Sequence, residues 1–282
     1  MSDRDVDVDG YRAQILVDGN GGPIVVLCSG LGGRRLHWND TAANLAKDHT
    51  VVRFDRPGTP LARASDRHGR PTVRGEAGRI SAVLDAVQRP DQVVVVGHSL
   101  GGLYAEGFAR LYPHRTRALV LLDSSIASDH QRRLTLPLPA KLAAADAAAT
   151  LVDLLRLQAP LGRAALTLLH RRRPGGLDAQ MRAEIRRAAT GSGFPAALLR
   201  EYAAYPQLTA ELCGLRETCP LPPVRRMVVT AHTGWRTHRW RTEQVRLAGV
   251  LGAEHVTVAP SGHLIMIEHP HRTAELIRTI AR

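Results

Sequence analysis

A serine set between two glycines is where this chain could do chemistry. Gly97-His98-Ser99-Leu100-Gly101 has the spacing G-x-S-x-G, and the run Val93 to Val96 leads directly into it. This context predicts a strand, a sharp turn and a helix, a geometry that lifts the Ser99 hydroxyl above the edge of a sheet. Glycine at 97 and 101 lets the chain turn without a colliding side chain. A hydroxyl is a weak nucleophile alone, so a base must lie beside it. Among 13 histidines, His263 is singled out by position. It follows the last expected strand, in Ala259-Pro260-Ser261-Gly262-His263, and precedes the C-terminal helix. His255 reads as a strand residue, and His269 and His271 as surface residues at a helix start. His98 adjoins the serine, and its ring is expected to turn away from the pocket. Acyl chemistry also needs donors for a developing oxyanion. Leu100 N–H, at the helix start, is one candidate. Leu31 N–H, in the loop Cys28-Ser29-Gly30-Leu31-Gly32-Gly33, is the other. That loop is no dinucleotide fingerprint, because G-x-G-x-x-G would require glycine where Arg35 stands. Gly30, Trp38 and His98 are the candidate substrate contacts, with Trp38 either walling the pocket or packing in the core.

The elements that must hold these residues are legible as short apolar runs. Ile24 to Leu27, Val51 to Phe54, Val93 to Val96, Ala118 to Leu122, Met227 to Thr230 and His255 to Val258 read as strands buried on both faces. Leu36 to Asp48, Thr72 to Gln88, Leu100 to Tyr112, Thr237 to Leu251 and Thr273 to Arg282 show helical spacing. Alternating strands and helices imply an α/β fold with a mostly parallel, doubly wound sheet. Tyr11 to Val17, the turn Asp18 to Pro23 and the run from Ile24 predict an antiparallel hairpin feeding the first central strand. Between Asp123 and Pro223 the pattern is helical, in Lys141 to Leu157, Leu161 to Arg172, Asp178 to Thr190 and Ala196 to Leu212, with Gly191-Ser192-Gly193 as punctuation. The expected organisation is core over 1–125, a helical cap inserted after the sixth strand over 126–222, and core again over 223–282.

Composition narrows the partners. The net charge is +12, from 38 basic and 26 acidic residues. Only Lys47 and Lys141 are lysines, and the arginines are spread along the chain, which suits a solvated basic surface. Arg171-Arg172-Arg173 lacks the interleaved aromatics of a nucleic-acid platform, so no nucleic-acid partner is expected. Cys28, Cys213 and Cys219 exclude a disulfide scaffold, no CxxC pair points to a metal, and Cys28 is expected to pack as a small apolar group. No apolar run reaches the roughly 18 residues that suggest a membrane span. The N-terminus carries no signal-peptide pattern, so a cytoplasmic protein, monomer or homodimer, is expected.

Taken in order, Ser29-Gly30-Leu31-Gly32-Gly33, Phe54-Asp55-Arg56-Pro57-Gly58, Gly97-His98-Ser99-Leu100-Gly101-Gly102 and Ser261-Gly262-His263, with Glu268 and Pro270 after it, resemble the α/β-hydrolase superfamily over nearly the whole chain. Three departures stand out. The oxyanion loop begins Ser29-Gly30 rather than His-Gly. Thr59-Pro60 interrupts the usual continuation after Gly58. No acid follows the strand Met227 to Thr230, where the family most often places one. Some members place the acid one strand earlier, which implies Asp123 as the partner of His263, with Asp129 in reserve. The resemblance implies a serine hydrolase that cleaves a small or medium carboxylic ester through an acyl-enzyme on Ser99, with no cofactor. A cofactor-free perhydrolase, a carbon–carbon bond hydrolase and a ligand receptor are the alternatives on the same scaffold. Arginines in the cap leave an anionic substrate open.

Overall fold

The computed structural model describes residues 2–8, 11–32, 34–56, 71–89, 91–127, 137–189 and 194–282. Its centre is an eight-stranded sheet. The strands are β1 (Ser2–Val8), β2 (Tyr11–Asp18), β3 (Ile24–Cys28), β4 (Thr50–Phe54), β5 (Val93–His98), β6 (Thr116–Leu122), β7 (Arg225–Ala231) and β8 (Glu254–Val258). They lie in the order β1-β2-β4-β3-β5-β6-β7-β8. From β4 through β8 every pairing is parallel, and β1 and β2 join antiparallel at one edge.

The strands are apolar on both faces because each face carries a layer of helices. Val26, Val95, Leu119, Leu121 and Val228 face one core, and Val25, Val94, Val96, Val120 and Val229 face the other. This is the period-two alternation of a pleated strand. The first core is closed by α2 (Val73–Ala86), α3 (Leu100–Leu111) and α8 (His238–Leu251), and the second by α1 (Asn39–Leu45), α9 (Ile265–Glu268) and α10 (Pro270–Ala281). Between β6 and β7 come α4 (Leu138–Leu154), α5 (Gln158–Leu169), α6 (Ala179–Ala189) and α7 (Phe194–Thr218). Among the described residues no helix is long and apolar enough to cross a membrane.

The N-terminal hairpin differs from its expectation. β2 does not pair with β3; it pairs antiparallel with β4 on one side and with β1 on the other. Both edges of β3 are taken by the parallel partners β4 and β5. A fully apolar strand is best buried in the middle of a sheet, so the turn after Asp18 carries the chain past β4 rather than folding it straight back. β1 was invisible as a strand because Ser-Asp-Arg-Asp-Val-Asp-Val offers no apolar run. Two helix starts also differ. Arg35–Trp38 is a 3-10 turn before α1, and α10 begins at Pro270, whose fixed φ and missing N–H suit a first helical position. The expected loop residues Gly33 and Pro57 to Pro60, the reserve acid Asp129 and Gly191-Ser192-Gly193 lie outside the described residues.

Helix α7 is tied to the sheet helices by charge as well as by apolar contact. Glu106 of α3, almost fully buried, accepts from Arg110 of its own helix at 2.9 Å and from both Nε and Nη2 of Arg216 of α7 at 2.8 Å. Glu211 of α7 accepts the N–H groups of Val73 and Arg74 at the start of α2, at 2.8 and 3.0 Å. A carboxylate there satisfies orphan donors and meets the positive end of the helix dipole. Removing one partner of a buried charge network leaves the others uncompensated, at a cost of about 3–5 kcal/mol. Glu106→Ala is therefore expected to lower the urea-unfolding free energy by about 3 kcal/mol. A change under about 1 kcal/mol would mean that water already screens the network as it does a surface pair.

Candidate active site

The nucleophile candidate stands on a strained turn. Ser99 joins β5 to α3 with φ 53° and ψ −123°, a region that L residues rarely occupy. The strain is held by hydrogen bonds on both sides. Ser99 N–H donates to the Leu122 carbonyl at 3.1 Å, and the Ser99 carbonyl accepts from the N–H groups of Gly102 and Ser125 at 2.9 Å each. The glycines are required by close approach. A Cβ on Gly97 would run into the Gly101 carbonyl, and one on Gly101 would sit 2.5 Å from the carbonyl oxygens of Cys28 and Ser29.

Asp123 and His263 are brought together from positions 140 residues apart in the chain. Asp123 follows the last residue of β6, with φ 43°. His263 lies between β8 and α9. His263 Nδ1 and Asp123 Oδ2 are 2.6 Å apart. A carboxylate only accepts, so Nδ1 carries the proton and Nε2 is left with a lone pair. The other oxygen, Oδ1, accepts from Ala231 N–H at 3.0 Å and from Trp240 Nε1 at 2.7 Å. The Asp123 side chain is 4% exposed and that of His263 is 51% exposed. The acid absent after β7 is thus replaced by donors: the end of β7 and the first turns of α8 hold a carboxylate that arrives from β6.

Ser99 and His263 line one cavity of about 500 Å³, with Gly30, Leu31, His37 and His98 below and Leu168, Leu169, Arg171 and Arg172 from the end of α5 and the turn after it. That size suits a small or medium organic ligand. Gly30 approaches the nucleophile so closely that a Cβ there would lie 2.8 Å from Ser99 Cβ. Leu31 is partly exposed in the cavity, and Leu100 is buried at the head of α3.

One expected contact, Trp38, and one expected ring orientation, that of His98, are corrected, while His98 and Gly30 do line the cavity. Trp38 does not wall the pocket. It is fully buried in the second core, and its Nε1 donates to Ser29 Oγ at 3.0 Å. The 3-10 turn Arg35–Trp38 folds it into the core, where it braces the Ser29 side chain. His98 does not turn away from the cavity either. Its ring packs on that of His263 at 4.6 Å between centroids, and its Nε2 bonds the His263 carbonyl at 2.8 Å. Burial pushes its imidazole down to about 3, helped by the adjacent His263.

The residues that sequence reasoning passed over act through the backbone. Arg56, part of the Asp-Arg-Pro-Gly motif, donates to the carbonyls of Ser29 and Gly30, the latter at 2.6 Å. Glu201 of α7 pairs with it through both oxygens, at 2.8 and 3.0 Å, and also accepts Gly32 N–H at 3.2 Å. A buried guanidinium needs such a partner. Among the described residues no group of His, Cys, Asp and Glu is arranged to hold a metal ion.

Comparison with known proteins agrees with this geometry. The α/β-hydrolase family matches residues 25–276. The chain belongs to that family. RutD of Pseudomonas savastanoi pv. phaseolicola, assigned by its name as a carbamate hydrolase, is 35% identical over 114 residues, covering 39% of this chain and 42% of that protein. Pyrrolizixenacetamide deacetylase of Xenorhabdus hominickii is 33% identical over 131 residues, covering 46% and 48%. The matches therefore span less than half the length of these relatives. Among solved structures, Cfl2 of Burkholderia cenocepacia superposes with a TM-score of 0.75 at 24% identity, covering 99% and 95% of the two chains. The enol-lactonase of Burkholderia xenovorans LB400 gives 0.66 at 19% identity, covering 97% of each. These likenesses show the same fold.

The histidines make the fold acid-sensitive in a defined window. His37 and His170, like His98, are buried, and desolvation lowers the proton affinity of each. In the unfolded chain each takes a proton near pH 6.5, about 1.4 kcal/mol per pH unit per site. The unfolded state then binds more protons than the folded one, so stability is full above about pH 6.5 and falls as the pH drops below it. Urea unfolding at pH 7, 6 and 5 should show this loss, and His98→Gln should reduce its slope by up to about 1.4 kcal/mol per pH unit. An unchanged slope in His98→Gln would show that the ring already takes its proton in the folded state.

Proposed function

We propose that this protein is a serine hydrolase that cleaves a small or medium carboxylic ester through an acyl-enzyme on Ser99. The observation that carries the reading is the 2.6 Å contact of His263 Nδ1 with Asp123, in a cavity that also holds the strained Ser99. Asp123 holds the imidazole with its Nε2 lone pair available for the Ser99 proton. Ser99 Oγ attacks the carbonyl carbon as His263 Nε2 takes its proton. The oxygen that becomes negative is met by the N–H groups of Leu31 and Leu100, which Arg56 and the start of α3 hold in place. The tetrahedral intermediate collapses, the ester C–O bond breaks, and His263 returns the proton to the departing alcohol. Water, deprotonated by the same imidazole, then releases the acid and restores Ser99.

Residues 126–222 serve in this reading as a cap whose α5 covers the cavity. Their leucines favour a short acyl chain over a polymer. Names among the relatives, a carbamate hydrolase and an acetamide deacetylase, extend the same acyl chemistry to C–N bonds. Ser99 in place of an aspartate at the elbow argues against epoxide opening, although an epoxide hydrolase shares the fold at a TM-score of 0.73.

A p-nitrophenyl ester series with fluorophosphonate labelling tests this reading. Ser99→Ala should abolish labelling, and Ser99→Ala and His263→Ala should each lower kcat by several orders of magnitude. Asp123→Asn should cost about 10⁴-fold, because the amide reverses the tautomer of His263. A folded wild type that neither labels nor turns over any ester would move the function to ligand reception.

A further inference from the structure

One polar atom in the cavity wall has no partner. His37 is 96% removed from solvent, with 4% exposed, and it lines the cavity together with Ser99 and His263. Its Nδ1 accepts Arg34 N–H within the 3-10 turn, at 3.5 Å. The proton of the neutral ring therefore sits on Nε2, which is buried and makes no hydrogen bond. Such a donor costs stability unless something meets it, and His37 belongs to the wall of a cavity where a ligand acceptor would lie.

The cap places positive charge against the same wall. His170, at the end of α5, lies 5.1 Å from His37 between ring centroids, and Arg171 and Arg172 follow it directly. Both arginines line the cavity. The Arg172 guanidinium lies over Gly262, where its Nη1 is 2.8 Å from where a Cβ would stand. Glu268 opposes it at 3.5 Å, and the same Glu268 oxygen accepts Gly262 N–H at 2.8 Å. Arg171 has no ion-pair partner among the described residues. Two arginines and one carboxylate, Glu268, thus line the cavity, and burial lowers the proton affinity of His37 and His98. The remaining walls are Leu31, Leu168, Leu169 and Leu264. An apolar cavity with one unbalanced positive charge and one free donor fits a short carbon chain ending in an anion.

We propose that the substrate is an ester bearing a free carboxylate, received by His37 Nε2–H and by the guanidinium groups of Arg171 and Arg172. This assignment rests on the serine-hydrolase reading and names its substrate class. The carboxylate stays unchanged in the reaction and serves to place the ester carbonyl against Ser99.

Two matched ester pairs test it. In one the acid is on the acyl side, mono-p-nitrophenyl glutarate against p-nitrophenyl hexanoate. In the other it is on the leaving group, 3-carboxyphenyl butyrate against its methyl ester. The wild type should favour the charged member of one pair by roughly tenfold or more in kcat/KM, and rising salt should erode that preference. Arg171→Gln/Arg172→Gln should bring the ratio to about one, and the double lysine variant should keep part of it. His37→Phe should raise KM for the charged ester more than it lowers kcat. A merely structural role would lower both members of a pair together and leave the ratio unchanged. Neutral preference in both pairs, or a ratio untouched by the arginine changes, would overturn the assignment. Calorimetric titration of wild type with monomethyl glutarate separates this failure from failure of the serine reading. Binding that the double glutamine variant loses supports the anion site even if no ester turns over, and absent binding refutes it.

Discussion

The carboxylate of Asp123 is the joint on which the candidate site depends. It accepts from three separate parts of the chain: His263 after β8, Ala231 at the end of β7 and Trp240 in α8. Its own N–H bonds the Val229 carbonyl at 2.6 Å, which fixes the turn after β6 to the neighbouring strand. The turn has φ 43°, and its side chain reaches partners on β7, α8 and the segment after β8. One group thereby sets the ring orientation of His263 and closes the edge of β6 against β7. A buried carboxylate that accepts three hydrogen bonds can do both, because losing any donor leaves part of a buried charge unpaired.

The second constraint is steric. Gly30, Gly97 and Gly101 bring the oxyanion loop and the nucleophile turn within backbone contact, and no side chain fits between them. That closeness has an electrostatic counterpart in Arg56, which donates to the Ser29 and Gly30 carbonyls. Because the partner of Arg56 is Glu201 of α7, that helix is part of the loop's support. Glu106 with Arg216, and Glu211 at the head of α2, fix the same helix farther along. A displacement of α7 would reach the loop at Gly30 to Gly32 through these charges.

Much of this was legible in the residues. The nucleophile turn and His263 follow from local order, a glycine-framed serine after a β-branched run and a histidine after the last strand. Asp123 was reached only through the family resemblance, since nothing local distinguishes an aspartate at a strand end from a helix cap. The hairpin from β2 to β3 was misread because turn chemistry is local, whereas strand pairing is decided by which strand can be buried on both edges. Trp38 shows the same limit. Aromatic character near a loop does not say which side of the loop the ring takes, and here a 3-10 turn, not a longer helix, sends it into the core. Arg56 stood inside a recognised motif, yet its partner Glu201 is 145 residues away and carries no pattern of its own.

The neighbouring imidazoles show how one site keeps two histidines in different states. The rings of His98 and His263 lie 4.6 Å apart, so charge on one disfavours charge on the other. Burial settles the competition. His98 is held down at about 3, and its Nε2–H is committed to the His263 carbonyl. His263 is half open to solvent and faces the Asp123 carboxylate. The ring that faces the counterion is thus the open one, and the neutral ring beside it adds packing without repulsion. The hydrogen bond from His98 to the backbone of His263 also positions the loop, so the residue next to Ser99 helps to place the His263 ring.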